Sequence, residues 1–119
     1  AKKYDTFFKK YQNIFIVQKV KKNFTHSYQM YTILIKNHKM RNDLIFFLKK
    51  NNIETSVHFE PPLHQQVYLK NYSKNSLTNT EYVSKRIFSL PMYSSLKLSE
   101  VNHVINKINL WIKLNEKKI

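Results

Sequence analysis

Two histidines, His58 and His64, bracket a double proline in the stretch VHFEPPLH. Imidazole titrates near neutral pH and can donate or accept a hydrogen bond, so this pair could orient a hydroxyl, a carboxylate or a phosphate without itself transferring a proton. With Glu60 between them the histidines also offer metal-donor atoms. No third strong ligand follows at a usual spacing, and the helical HExxH pattern is not met. His58-Phe59-Glu60 matches the H-x-E half of zinc deaminases, whose other half needs cysteines. The chain has none, and a metal role is set aside. Alternation alone favours a plainer reading of His58, as an exposed strand histidine.

The elements that must position these residues follow from periodicity. Residues 54–59 alternate, with Thr55, Val57 and Phe59 on one side and Glu54, Ser56 and His58 on the other. They read as a strand that Pro61-Pro62 ends, because proline cannot donate to a ladder. Residues 28–35, YQMYTILI, form a second strand whose near-continuous apolarity suggests a central position, with Gln29 and Tyr31 on one face. FSLPMY supplies a short edge strand broken by Pro91.

Helices are expected at four places. Residues 2–11 carry Tyr4, Phe7, Phe8 and Tyr11 at helical spacing. Residues 41–50 turn Leu44, Phe47 and Leu48 inward, with Asn51-Asn52 as a stop. Thr78 and Glu81 read as a capping box opening a helix to residue 86 or 87. Ser99 caps a last helix striped by Val101, Val104, Ile105, Ile108 and Ile112, with Trp111 beside it. Residues 13–25 read as a connector. The predicted fold is α+β: a small open-faced sheet of about three strands with helices packed on one face. Residues 1–25 are expected to form the end of a helix plus a connector, and residues 26–119 the domain proper.

Composition narrows the function classes. The 119 residues hold 21 Lys and Arg against 7 Asp and Glu, for a net charge of +14. Such an excess raises nucleic-acid binding as an alternative, a basic interaction module without catalytic activity. Yet only 2 of the basic residues are Arg, the side chain favoured for bidentate phosphate and base-edge contacts, so the charge reads as a solvated surface and no specific nucleic-acid partner is expected. Glycine is absent. Phosphate cradles need backbone N–H groups at close approach, which glycine permits, so this chain is not expected to hold a phosphate-bearing cofactor alone. No run reaches the ~20 apolar residues of a membrane span. A first residue other than Met suggests a piece of a longer protein.

Three segments, HSYQMYTILI, RNDLIFFLKKNNIETSVHFEPPLHQQVYLKNY and SKRIFSLPMYSSLKLSEVNHVINKI, resemble in order and spacing the C-terminal small domain of the DegT/DnrJ/EryC1/StrS family of pyridoxal-phosphate-dependent sugar aminotransferases. The resemblance runs over residues 2–112. It implies a fold-type I enzyme in which a large domain holds pyridoxal phosphate and the small domain closes over the cleft. The implied reaction moves an amino group, usually from glutamate, to a ketone on a nucleotide-linked sugar, in the making of cell-surface polysaccharide or amino sugars; dehydratase members share the same small domain. It further implies a missing large domain carrying the Schiff-base lysine, no catalytic or cofactor-binding residue in this chain, no activity of the chain alone, a homodimer when full length, and a cytoplasmic location. By the same resemblance His58 reaches toward the active-site cleft. His64 either lines that cleft or fastens the loop after the prolines, and Gln29 and Tyr31 join the cleft-facing set.

Overall fold

A computed structural model describes residues 1–69, 71–72 and 76–118. Its three strands are β1 (Phe15–Val17), β2 (Tyr31–Ile35) and β3 (Ile87–Leu90), antiparallel in the order β1-β2-β3. The helices are α1 (Lys2–Phe8), α2 (Arg41–Lys50), α3 (Thr78–Ser84) and α4 (Leu98–Leu114). Tyr31, Ile33 and Ile35 are buried on one face of the central strand while Thr32 and Leu34 are half-buried on the other. The register sets Phe15 opposite Ile35 and Phe88 opposite Ile33, so one face of all three strands enters the core. Onto it pack Tyr4, Phe7 and Phe8 from α1, Leu44 and Leu48 from α2, and Val104, Ile108, Trp111 and Ile112 from α4. Seven residues are too few for a stable isolated helix. Tertiary burial holds α1, at roughly 1.5–3 kcal/mol for each large apolar side chain taken from water.

The predicted open sheet with helices on one face is present, but one of its strands is different. Residues 54–59 make only a single bridge, Ser56 to Ser89, on the outer edge of β3. Two local features stop the ladder. Ile53 is drawn into the end of α2, where its N–H reaches Leu48 O and the N–H of Asn52 reaches Lys49 O, with Asn52 left-handed at φ 59°. That is a Schellman closure with asparagine in the place of the usual glycine. Downstream, Phe59 is also left-handed, at φ 57°, and its side chain is 74% exposed, which ends the alternation. The third strand is instead β1, within the segment expected as a connector. Its Phe15 enters the core with Tyr4, Phe7, Phe8 and Ile14, so the first 17 residues share the hydrophobic core of the rest rather than standing apart.

Boundaries shift for reasons of capping and backbone. Strand β2 begins at Tyr31 because Tyr28 is left-handed at φ 50°, with its N–H donated to His26 Nδ1 at 2.8 Å. Helix α4 begins at Leu98, with Ser99 inside its first turn, and the carboxylate of Glu100 accepts the Lys97 N–H at 2.7 Å. Helix α3 uses the same device: Glu81 accepts the Leu77 N–H at 3.2 Å, while the Thr78 hydroxyl does not cap and the helix stops at Ser84. In α4 this is the carboxylate half of a capping box without the hydroxyl half, and in α3 the carboxylate reaches back from one position further on. The buried indole of Trp111 donates to Asp43 Oδ2 at 2.8 Å, joining α4 to α2.

Candidate functional site

The segment from His58 to Gln66 leaves the edge of β3 as an irregular loop with a 3-10 turn at Leu63–Gln65. Two side-chain contacts hold it. Arg41, only 4% exposed at the start of α2, donates through Nη2 to both oxygens of Glu60 at 2.6 and 2.8 Å. Its Nη1 donates to Ser84 O at 2.8 Å and its Nε to Asn42 Oδ1 at 3.0 Å. A buried guanidinium with its donors this well occupied is satisfied, and the planar fork makes it possible where a lysine would leave donors or acceptors unmatched. The second joins His64 Nε2 to Glu81 Oε1 at 3.2 Å. The His64 hydrogen bond, helped by the Leu77 N–H and the Ser76 hydroxyl, holds the Glu81 carboxyl below the ordinary carboxylate range. His64 therefore ties the loop after the prolines to the start of α3, and it lines the hollow beside His58 as well.

His58 is exposed and has no hydrogen-bond partner among the described residues. Beside it opens a cleft of about 690 Å³ walled by Phe59, Pro62, Leu63, Leu77, Val83 and Ile87, with His58 and His64 as its ring nitrogens. An apolar trough with a free imidazole at its rim can take a ligand that has a flat or apolar body and a hydrogen-bonding edge.

The four residues expected to share a cleft are separated. Gln29 lines a different hollow of about 890 Å³, with Glu54, Tyr93, Glu100 and His103. Tyr31 is 4% exposed, its ring 4.8 Å from that of Tyr4 and its hydroxyl donating to Asp5 Oδ1 at 2.6 Å. Burial and the Asp5 carboxylate push its phenol well above the ordinary value. The period of two places Tyr31 with Ile33 and Ile35 on the helix side, so it belongs to the core and not to a surface shared with Gln29.

Arg41, Glu60 and Glu81 were not among the predicted site residues. A signal for Arg41 existed: in a chain with 21 basic residues the 2 arginines stand out. Both are used for their planar geometry, since Arg86 donates to Lys36 O and Tyr82 O and lies 3.8 Å over the Tyr82 ring. The acidic residues are similarly committed. Asp5, Asp43, Glu60, Glu81 and Glu100, five of the seven, accept internal hydrogen bonds, which leaves a surface dominated by lysine. Among the described residues no group of three His, Asp or Glu could hold a metal ion, and no helix is long and apolar enough to cross a membrane.

The model of the DegT/DnrJ/EryC1/StrS aminotransferase family matches residues 1–109. An uncharacterised protein of Methanocaldococcus jannaschii is 33% identical over 120 residues, covering 97% of this chain and 31% of the relative. A UDP-4-amino-4-deoxy-L-arabinose–oxoglutarate aminotransferase of Shewanella sediminis is 37% identical over 75 residues, 58% of this chain and 19% of that protein. Among solved structures, NtdA of Bacillus subtilis with bound cofactor PMP superimposes with a TM-score of 0.78 at 20% identity, covering 94% of this chain and 26% of NtdA, a likeness of fold. The chain spans under a third of the length of each of these proteins.

Proposed function

The chain belongs to the DegT/DnrJ/EryC1/StrS aminotransferase family, and from that premise we propose that it is the C-terminal small domain of a pyridoxal-phosphate-dependent sugar aminotransferase, closing over an active site held by a larger domain. The observation that supports this best is the family match across residues 1–109, which includes the anchored loop that presents His58. The substrate is a nucleotide-linked keto-sugar and the donor an amino acid, glutamate; the Shewanella relative, named for a UDP-sugar and oxoglutarate, supports both. The full-length protein is a cytoplasmic homodimer.

The residues present do not fit a site for pyridoxal phosphate. Every described lysine is exposed or half-exposed, and the chain has no glycine for a phosphate cradle. The cofactor, which supplies the electron sink for amino transfer, is held outside this chain, and no chemical step is assigned to residues here. What these residues do is bind and orient. His58 donates or accepts one hydrogen bond to a sugar hydroxyl or phosphate, and the apolar wall beside it offers a face for the ligand's flat or apolar part.

The test is an amino-transfer assay on the protein that includes this domain, loaded with pyridoxal phosphate. Glutamate should be converted to 2-oxoglutarate only when a nucleotide-linked keto-sugar is supplied as acceptor. Turnover with simple keto acids and none with keto-sugar nucleotides would overturn the proposal.

A further inference from the structure

We propose that Arg41 is a positioning residue: through its two hydrogen bonds to Glu60 it fixes the backbone of Phe59 and so the direction in which His58 projects. This rests on the reading of His58 as a substrate-orienting group. The starting observation is backbone strain. Phe59 sits at φ 57° with a side chain 74% exposed, so neither glycine-like freedom nor core burial of its ring explains the conformation. The left-handed region is unfavourable for a residue that carries a Cβ. Such residues persist where the surroundings over-determine them, and they concentrate at ligand-binding sites.

The surroundings that over-determine Phe59 are identifiable. On its N-terminal side Ser56 is pinned to β3 by a pair of backbone hydrogen bonds with Ser89, at 2.8 and 3.2 Å. On its C-terminal side Glu60 is gripped by Arg41. Val57, His58 and Phe59 span between these two anchors, too short a stretch to choose among many paths. Arg41 is itself held on its other side, by Ser84 O and Asn42 Oδ1. The fork thus carries the rigidity of α2 and of the end of α3 into the loop. His64 and Glu81 tie the far side of the same loop but lie beyond the two prolines, so they fix the floor of the cleft and not the His58 backbone.

Glu60→Gln leaves no cavity, since the Glu60 side chain is 44% exposed, but it takes the counter-ion from the buried Arg41, so the melting temperature is measured beside it. The amides of residues 58–60 donate to no other described residue, so the order of this stretch is read from 15N relaxation. In the 119-residue chain the order parameters at residues 58–60 should lie near the rigid value of about 0.85 and fall below about 0.6 in Glu60→Gln, with those of β2 and α4 unchanged. Asparagine adopts the left-handed region more readily than phenylalanine. In a Phe59→Asn background the same Glu60→Gln change should therefore lower them much less. Arg41→Lys should reproduce the loss of order seen in Glu60→Gln. In the full-length enzyme, Glu60→Gln should raise KM for the keto-sugar by about tenfold, with a smaller change in kcat, and Phe59→Asn should lessen that loss too. Unchanged order at residues 58–60, or a loss equal in the Phe59→Asn background, overturns the positioning role of Arg41. Lost order with unaltered keto-sugar kinetics confirms the clamp on the backbone and instead overturns the reading of His58 on which its functional role rests.

Discussion

The His64 ring lies 3.2 Å from the carboxylate of Glu81, binding the loop after the two prolines to the first turn of α3. The same carboxylate accepts the Leu77 N–H, so one side chain both caps the helix and holds the cleft wall. Its pKa is lowered in the folded chain, first by His64. A depressed folded pKa contributes stability above the ordinary carboxyl value, about 4.3 for Glu, and that stability is lost as pH falls through the lower folded value. The protection factors of the hydrogen-bonded amides of Gln65, Gln66 and Leu69, taken relative to the intrinsic exchange rate at each pH, should therefore fall as the pH is taken below about 4, before the core opens. Glu81→Gln should remove the acid dependence of that stretch. Protection in residues 63–69 that is indifferent to acid would contradict the tie.

Alkali acts on a different pair. Burial, and then the neighbouring Tyr93, push the Tyr4 phenol up to about 12, and burial with the Asp5 carboxylate raises Tyr31 as well. A raised folded pKa gives stability that is complete below the ordinary tyrosine value of about 10 and is lost as pH rises through the folded value. Absorbance at 295 nm should show two of the eight tyrosines ionising only as the fold opens. Titration of all eight near pH 10 with intact circular dichroism would refute this.

Asp43 serves a buried donor. Trp111 is 1% exposed, and its indole N–H goes to Asp43 Oδ2. Asp43→Ala leaves that N–H without a partner and should cost about 1–3 kcal/mol in urea unfolding. In a Trp111→Phe background the same change should cost much less, and equal costs in the two backgrounds would show the bond to be idle.

The lysine-rich surface gives a further expectation. Duplex DNA should bind weakly and without sequence preference, with affinity falling as salt rises at a slope of about −0.9 per phosphate contacted. Sequence-specific binding that survives physiological salt would bring the basic-module reading forward.

The parts of the fold that were legible in the sequence are those where one face is buried and period reveals it. The stripe from Val104 to Ile112 predicted a buried face and the apolarity of residues 28–35 a central strand, whereas Tyr31, expected at the cleft, alternates with Ile33 and Ile35 into the core. Strand β1 was hidden because three residues are too few to display a period, and its pairing with β2 is decided by partners 16 to 20 residues away. The strand expected at residues 54–59 failed because alternation predicts which faces are apolar, not whether an edge finds a ladder. At Phe59 the backbone turned left-handed without a glycine to mark the place. In the candidate site the histidines were visible by type, whereas Arg41 and Glu60, 19 residues apart, are joined only by the fold.

The most direct measurement is the kinetics of His58→Ala in the full-length enzyme. His58 projects from an anchored loop into solvent beside an apolar cleft, and its loss removes no core volume. A lost hydrogen bond to a polar or charged substrate costs on the order of 1–3 kcal/mol, and about 1.4 kcal/mol is tenfold in rate. The variant should lower kcat/KM for the keto-sugar by roughly tenfold to a hundredfold while the cofactor's absorbance and the melting temperature stay as they are. Unchanged kinetics with a large fall in melting temperature would contradict the account and make His58 a structural residue.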